Sequence, residues 1–298
     1  MITLHSFESN NFSQFGEDGV IQELLNRISS QVNLSRKAIE FGASDGIDCS
    51  NTRNLLLNHD FHVVYIESSK KLFRQLQDNT RDLSVSNILT FVNSTGLNTL
   101  EAVLKDHKLI EYDFDLLVID IDGNDYWILE SISNFRPKII CIEFNPTIPI
   151  DVSYIQPRDS SARHGSSALA IMTLAMAKGY SVVHATSCNL FLVRDELSKV
   201  ILGDYESVNS LPDFIRNPAQ PNHCFSAIDG TLVFTSDIFL HWHRIAKKPS
   251  KLQVLPFYLR KATGDYNPLQ RLLFFLRFKL KSRISRLIRN SLSRWPQS

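Results

Sequence analysis

Apolar residues in this chain come in short continuous runs, set between stretches in which they recur at helical spacing. Ala38–Phe41, His62–Glu67, Ile88–Asn93, Asp115–Asp120, Lys138–Glu143, Tyr180–Ala185 and Asn189–Arg194 read as strands. Val20, Ile21, Leu24, Leu25 and Ile28 mark a helix ahead of the first strand, with acids at its start that suit the positive helix end. Further helices are predicted over Arg53–His59, Lys70–Asn79, Leu97–Lys105 and Ser166–Lys178. Buried strands alternating with helices predict an α/β fold with a mostly parallel sheet covered on both faces. The last two runs are close enough to close that sheet as an antiparallel hairpin. Beyond Asp195 the pattern loosens, Leu211–Cys224 reads as irregular, and Ser236–Ile245 carries His241 and His243 at a helical spacing that does not share a face. The implied organisation is a domain over 1–195, an irregular extension over 196–265 and a basic helical tail over 266–298.

Ligands in parallel sheets collect outside the carboxyl ends of the strands. Here those ends carry Glu40 and Gly42, Glu67, Asp120 and Asp122, and Glu143 with Asn145. Gly42 frees the chain to turn and admits an adenosyl-type cofactor where a Cβ would collide. Gly46 is expected to free the turn into a helix whose first amides face an anion. Glu67 lies 25 residues beyond Gly42, near the roughly 20 at which an acid holds ribose hydroxyls. The polar loop Thr147–Gly165, with Arg163 and His164, has the length of a lid or binding loop.

Composition narrows the picture. At 298 residues, 43% hydrophobic and net charge +1, the chain has an ordinary globular make-up and no global field for nucleic acid. Its four scattered cysteines argue for reduced thiols. No signal peptide and no membrane span is expected, so a cytoplasmic protein is. After Asp265 there is no acid, and Arg271 to Arg294 interleave bases with leucines and phenylalanines. Such a basic amphipathic helix suits the inner, anionic face of a membrane, a partner, or its own domain.

The segments Ser13-Gln14-x-Gly16-Glu17-Asp18-Gly19, I-E-F-G-A-S-D-G from Ile39, S-N-T-R-N-L-L from Ser50, I-D-I-D-G-N-D-Y from Ile119 and I-E-F-N-P from Ile142 resemble, in that order, the FkbM-like branch of class I S-adenosylmethionine (SAM) methyltransferases. The resemblance covers residues 11–195. It implies a Rossmann-like sheet closed by a hairpin and methyl transfer from SAM to an oxygen of a saccharide or glycolipid acceptor, as in cell-surface polysaccharide synthesis. It places Glu40, Gly42, Ser44 and Gly46 on the methionine part of the cofactor, Glu67 on its ribose, and Gln14, Asn51 and Asp120 beside it. Asp122 with Glu143 and Asn145 resembles the oxygen-ligand set of divalent-metal O-methyltransferases and would suit Mg²⁺ or Ca²⁺. Glu143 and Asn145 stand two apart, where that family has adjacent ligands. Without a metal, Asp122, Asp125 or His164 is the candidate general base. Two other classes stay open: a glycosyltransferase using Asp120-Ile121-Asp122 as a D-x-D motif, and a non-catalytic scaffold that works through its tail.

Overall fold

The computed structural model describes residues 4–159, 161–203 and 211–280. The chain divides into two compact units, Met1–Ala219 and Gln220–Ser298. The first holds a seven-stranded sheet of β1 (Lys37–Phe41), β2 (His62–Glu67), β3 (Val85–Leu89), β4 (Leu116–Ile119), β5 (Ile139–Glu143), β6 (Tyr180–Ala185) and β7 (Asn189–Arg194). Their order across the sheet is β3-β2-β1-β4-β5-β7-β6. β1 to β5 pair in parallel, and β7 runs antiparallel to both β5 and β6. This is the α/β, Rossmann-like sheet closed by an antiparallel hairpin that the sequence pattern implies.

Eight helices accompany it: α1 (Glu17–Ile28), α2 (Arg53–Asn58), α3 (Lys70–Asn79), α4 (Leu100–Asp106), α5 (Asp125–Ser131), α6 (Ala168–Ala177), α7 (Asp195–Leu202) and α8 (Leu211–Phe214). Side chains alternate across each strand, so the sheet feeds two cores. Ala38, Val63, Tyr65, Leu116, Val118 and Cys141 pack with α1, α2, α3 and α7. Ile39, Phe41, Ile66, Leu117, Ile119 and Ile142 pack with α4, α5, α6 and α8. The loops that follow the parallel strands β1 to β5 therefore all leave from one end of a sheet covered on both faces.

β3, α7 and α8 differ from the sequence expectation, α8 falling at the start of the stretch 211–224 that reads as irregular. β3 sits at Val85–Leu89 rather than at Ile88–Asn93, because pairing with β2 runs from Val63 with Val85 to Glu67 with Leu89. It is an edge strand with only Ile88 buried, so its apolar signature is weak. Asp195–Leu202, where the pattern loosens, is α7, whose Leu197 and Ile201 join the α1 core.

The second unit holds two hairpins, β8 (Cys224–Ser226) with β9 (Leu232–Phe234) and β10 (Ile238–Leu240) with β11 (Ile245–Lys247). His241–His243 forms a 3-10 turn between β10 and β11 instead of part of a helix. α9 (Pro268–Phe274) opens on a capping box between Asn267 and Gln270 and runs on in π form through Leu280. The rest of the predicted basic tail, 281–298, lies outside the described residues. No helix among the described residues is long and apolar enough to cross a membrane.

At the sheet's other end Lys138 is buried with its ammonium 2.8 Å from Asp115, which is also fully buried and accepts from the Ser35 and Arg36 amides. Removing one partner strands the other charge in a low-dielectric interior. Lys138→Met is expected to cost about 3–5 kcal/mol in denaturant unfolding. The double variant with Asp115→Asn should recover part of that loss.

Candidate active site

β1 ends in Phe41 and turns through Gly42 at φ +86°, where an added Cβ would lie 1.8 Å from the Asp120 carbonyl oxygen. The ends of β1 and β4 thus meet backbone to backbone, and glycine is the residue that allows it. The Gly42 amide donates to the Ile66 carbonyl at 3.1 Å, which ties the same turn to β2. Ser44 (φ +50°), Cys49 (φ +60°) and Asp122 (φ +56°) also hold left-handed backbone conformations. Strain of this kind concentrates where a loop is shaped for function rather than for its own stability.

Glu67, at the end of β2, is buried, and its two oxygens accept from the Ser44 amide at 2.9 Å and the Ser69 amide at 2.6 Å. Those bonds fix the carboxylate over the Gly42 turn and leave each oxygen a further lone pair. Glu40 behaves differently. Its carboxylate is buried beneath the turn and accepts from Ser50 Oγ at 2.7 Å, the Asn51 amide at 2.8 Å and Thr52 Oγ1. Desolvation pushes its pKa up, against the lowering effect of those donors. Glu40 anchors the 50–52 segment that carries Asn51. Gly46 faces α3: a Cβ there would come within 2.5 Å of Leu76 Cδ1. α2 begins at Arg53, where the sequence pattern places it.

The loop ahead of α1 closes the other side. Asp18 Oδ2 accepts from three successive amides, those of Asn11, Phe12 and Ser13, at 2.7–2.8 Å. Glu17 is fully buried and accepts from the Phe15 amide, Thr186 Oγ1 and Asn189 Nδ2. Gln14 stands exposed at the tip of the loop these acids fold.

Beyond β4 the acids gather. Asp125 spends both oxygens on the loop it follows, accepting from the Ile121 and Gly123 amides at 2.9 Å each. The Asp122 backbone, close to Glu143 at the end of β5, lowers that carboxyl's pKa slightly. The Asp122 side chain is exposed and lies 3.6 Å from Arg163. Desolvation, then repulsion from neighbouring acids, raises Asp120 to about 7 and Glu143 to about 9. Desolvation outweighs two amide bonds and lifts Asp125 to about 6. Desolvated carboxyls this close together resist ionisation, and a bound cation would relieve them.

The loop from β5 to α6 lies across the same end. Buried Gln156 pins it: Nε2 donates to Asn124 Oδ1 at 2.6 Å, and Oε1 accepts from the His164 and Gly165 amides. Gly123 lies directly under Ala162 and Arg163, leaving no room for a Cβ to relax. His164 is exposed, with Nδ1 2.8 Å from the Tyr154 hydroxyl. Asn145 Oδ1 already accepts from the Thr147 amide and Thr147 Oγ1, while its Nδ2 donates to the His164 carbonyl. It ties loop to strand and keeps no lone pair in its favoured directions for an ion. Among the described residues, no three acidic, histidine or cysteine side chains at this end bring ligand atoms within 4.8 Å of one another.

The structure thus brings Gly42, Ser44, Glu67, Asp120, Asp122 and Glu143 to one end of the sheet. It sets Glu40 and Asn51 beneath the turn and Gln14 and His164 at the rim. Sequence reasoning named Arg163 in this loop but did not single out Gln156 or Tyr154, since nothing in a polar loop separates a buried amide from a solvated one.

No family model matches the chain, and no curated protein sequence matches it. Among solved structures it is similar to a SAM dependent methyltransferase from Aquifex aeolicus (10% identity, 63% of this chain and 94% of that one, TM-score 0.36). It is similar also to magnesium protoporphyrin IX methyltransferase from Synechocystis PCC 6803 with bound S-adenosylhomocysteine, SAH (11% identity, 64% and 91%, TM-score 0.38). A third is SAM-bound CalS10, an amino pentose methyltransferase from Micromonospora echinaspora (10% identity, 60% and 91%, TM-score 0.37). At this level of likeness the chemistry has to be argued from the chain's own residues.

The raised acids make a stability prediction. Because the folded state holds protons that the unfolded chain releases above about pH 4, stability falls as pH rises from there through the raised pKa values. Glu143→Gln puts a neutral amide where the folded state otherwise has to hold a proton that the unfolded chain releases. It is expected to raise Tm at pH 8 by about 2–4 °C and to change it little at pH 4, measured by thermal unfolding across that range.

Proposed function

We propose that this chain is a SAM-dependent O-methyltransferase of the FkbM-like kind, acting on a hydroxyl of a saccharide or glycolipid acceptor. The observation that carries the reading is the Glu67 carboxylate, held by two amides over a glycine turn at the carboxyl end of β2. A group so placed accepts from the two ribose hydroxyls of an adenosyl cofactor at once. The residues fit that cofactor in a second respect. It brings a sulfonium and an ammonium, and the acids around Asp120 form a desolvated, negatively charged site that suits a cation and is relieved by one.

Bound SAM would supply an electrophilic methyl group on a positively charged sulfur, for transfer to an acceptor oxygen. The protein's part is to hold the two reactants in register, the effect of greatest magnitude in such a displacement. Gly42, Ser44 and Asp120 border the cofactor's reactive end in this reading, with Asn51 behind them on its Glu40 anchor and Gln14 at the rim. The acceptor enters under the 147–165 loop, whose Tyr154, Arg163 and His164 offer the polar and aromatic contacts a sugar takes. His164, oriented by Tyr154 through Nδ1, and Asp122 are the groups free to receive the hydroxyl proton. Asp125 acts by shaping the loop. With Asn145 committed to Thr147, Asp122 and Glu143 form an incomplete ligand set, and no step of this mechanism runs through a metal. The basic residues of 266–298 are proposed to rest on an anionic membrane surface, where such an acceptor would be presented.

Calorimetry with SAM and SAH tests the reading. Micromolar binding is expected, weakened by about 10- to 100-fold in Glu67→Ala, as the loss of hydrogen bonds to a charged acceptor predicts. Circular dichroism confirms that the variant is folded. No adenosyl binding, together with metal-dependent binding of a UDP- or GDP-sugar, would overturn it in favour of the D-x-D chemistry.

A further inference from the structure

A second cluster lies in the first unit, apart from the strand-end acids. His5 Nδ1 lies 2.7 Å and His184 Nε2 3.1 Å from the same oxygen, Oε1 of Glu8. The three ligand atoms fall within 4.8 Å of one another. His5 and Glu8 come from the 3-10 turn at Leu4–Phe7 and the residue after it. At three residues per turn, positions i and i+3 eclipse, so the two side chains share a face. His184 comes from β6, 176 residues from Glu8 along the chain. Its ring is buried, 4.5 Å centroid to centroid from His5 and 5.9 Å from Phe191. Burial disfavours the imidazolium, leaving the neutral ring that ligates metals. Arg216 approaches Glu8 through the other oxygen, Oε2, at 3.3 Å, so Oε1 is left to the two rings.

Both imidazoles also line a cavity of about 560 Å³, whose walls include Leu4, Val183, Ile201 and Phe214. None of the strand-end acids lines it. Two neutral imidazoles and a carboxylate are borderline donors of the kind that Zn²⁺ takes in three-ligand sites, which keep a fourth position open. A tetrahedral ion with bonds of about 2.0–2.1 Å holds its donors about 3.3 Å apart. The observed separations of 2.7 and 3.1 Å fall short of that by about 0.6 and 0.2 Å, and the two ring nitrogens lie within 4.8 Å of each other. Small ring movements would therefore admit the ion.

We propose that His5, Glu8 and His184 form a Zn²⁺-class metal site, its fourth coordination position open to the cavity for water or a small donor ligand. The site would fasten the turn ahead of α1 to β6. It stands independently of the methyltransferase reading.

The test uses the full-length protein, treated with chelator and then titrated with Co²⁺ as a spectroscopic stand-in. One equivalent is expected to give the visible absorption of tetrahedral cobalt, and Zn²⁺ should displace it. His5→Ala and Glu8→Gln, both at partly exposed positions, should weaken Zn²⁺ binding by at least about 100-fold, since each removes a direct ligand. Their far-ultraviolet circular dichroism should match the parent. No visible band in the parent, or undiminished binding in both folded variants, would overturn the site.

Discussion

The approach of β1 to β4 is the constraint on which the rest of the site depends. Where Gly42 faces the Asp120 carbonyl there is no room for a side chain, so two loops carrying acids are forced to start from the same spot. Everything else at that end accommodates this crowding. The Glu67 carboxylate is pulled in by amides from both sides of the turn, Glu40 is buried to hold the following segment, and Asp122 takes up a left-handed backbone conformation. Parallel pairing of β1 with both β2 and β4 fixes the register that makes this possible.

Crowding of acids has an electrostatic cost. Asp120, Asp125 and Glu143 are each desolvated, Asp125 makes ionisation of Asp120 harder, and both make ionisation of Glu143 harder. A protein selected only for stability would replace one of them. Retaining them is consistent with a site that lends its charge to a bound cation, a common reason for strain at functional centres. The backbone amides given to Asp125 and Glu67 keep these carboxylates in place despite the repulsion. The same device serves Asp18, whose one oxygen gathers three amides ahead of α1.

Much of this could be read from residues alone, but unevenly. Four of the five parallel strands and the closing hairpin follow from continuous apolar runs, because strands buried on both faces have no polar side to disguise them. β3 was displaced because it is an edge strand and shows no such run. α7 was hidden because an eight-residue helix with Asp195, Glu196 and Lys199 on its outer face looks like a loop until its partner α1 is known. Among candidate site residues, the place of Glu67 at the carboxyl end of β2 was legible from the apolar run that precedes it. Glu40, two residues before Gly42, was equally visible as an acid, yet its role turned on which face of β1 it occupied and what lay there.

The sequence by itself determined the alternation of strand and helix, the glycine at the β1 turn and the set of acids at strand ends. These are local properties, fixed by periodicity and by the conformational freedom of single residues. Only the tertiary structure decided which acids are spent on backbone amides, which remain free, and that Gln156 rather than a charged residue holds the loop over the site. It alone brought His184 to His5 and Glu8. Such partnerships join residues far apart in the chain, and their energies depend on burial and distance, which no pattern along one dimension contains.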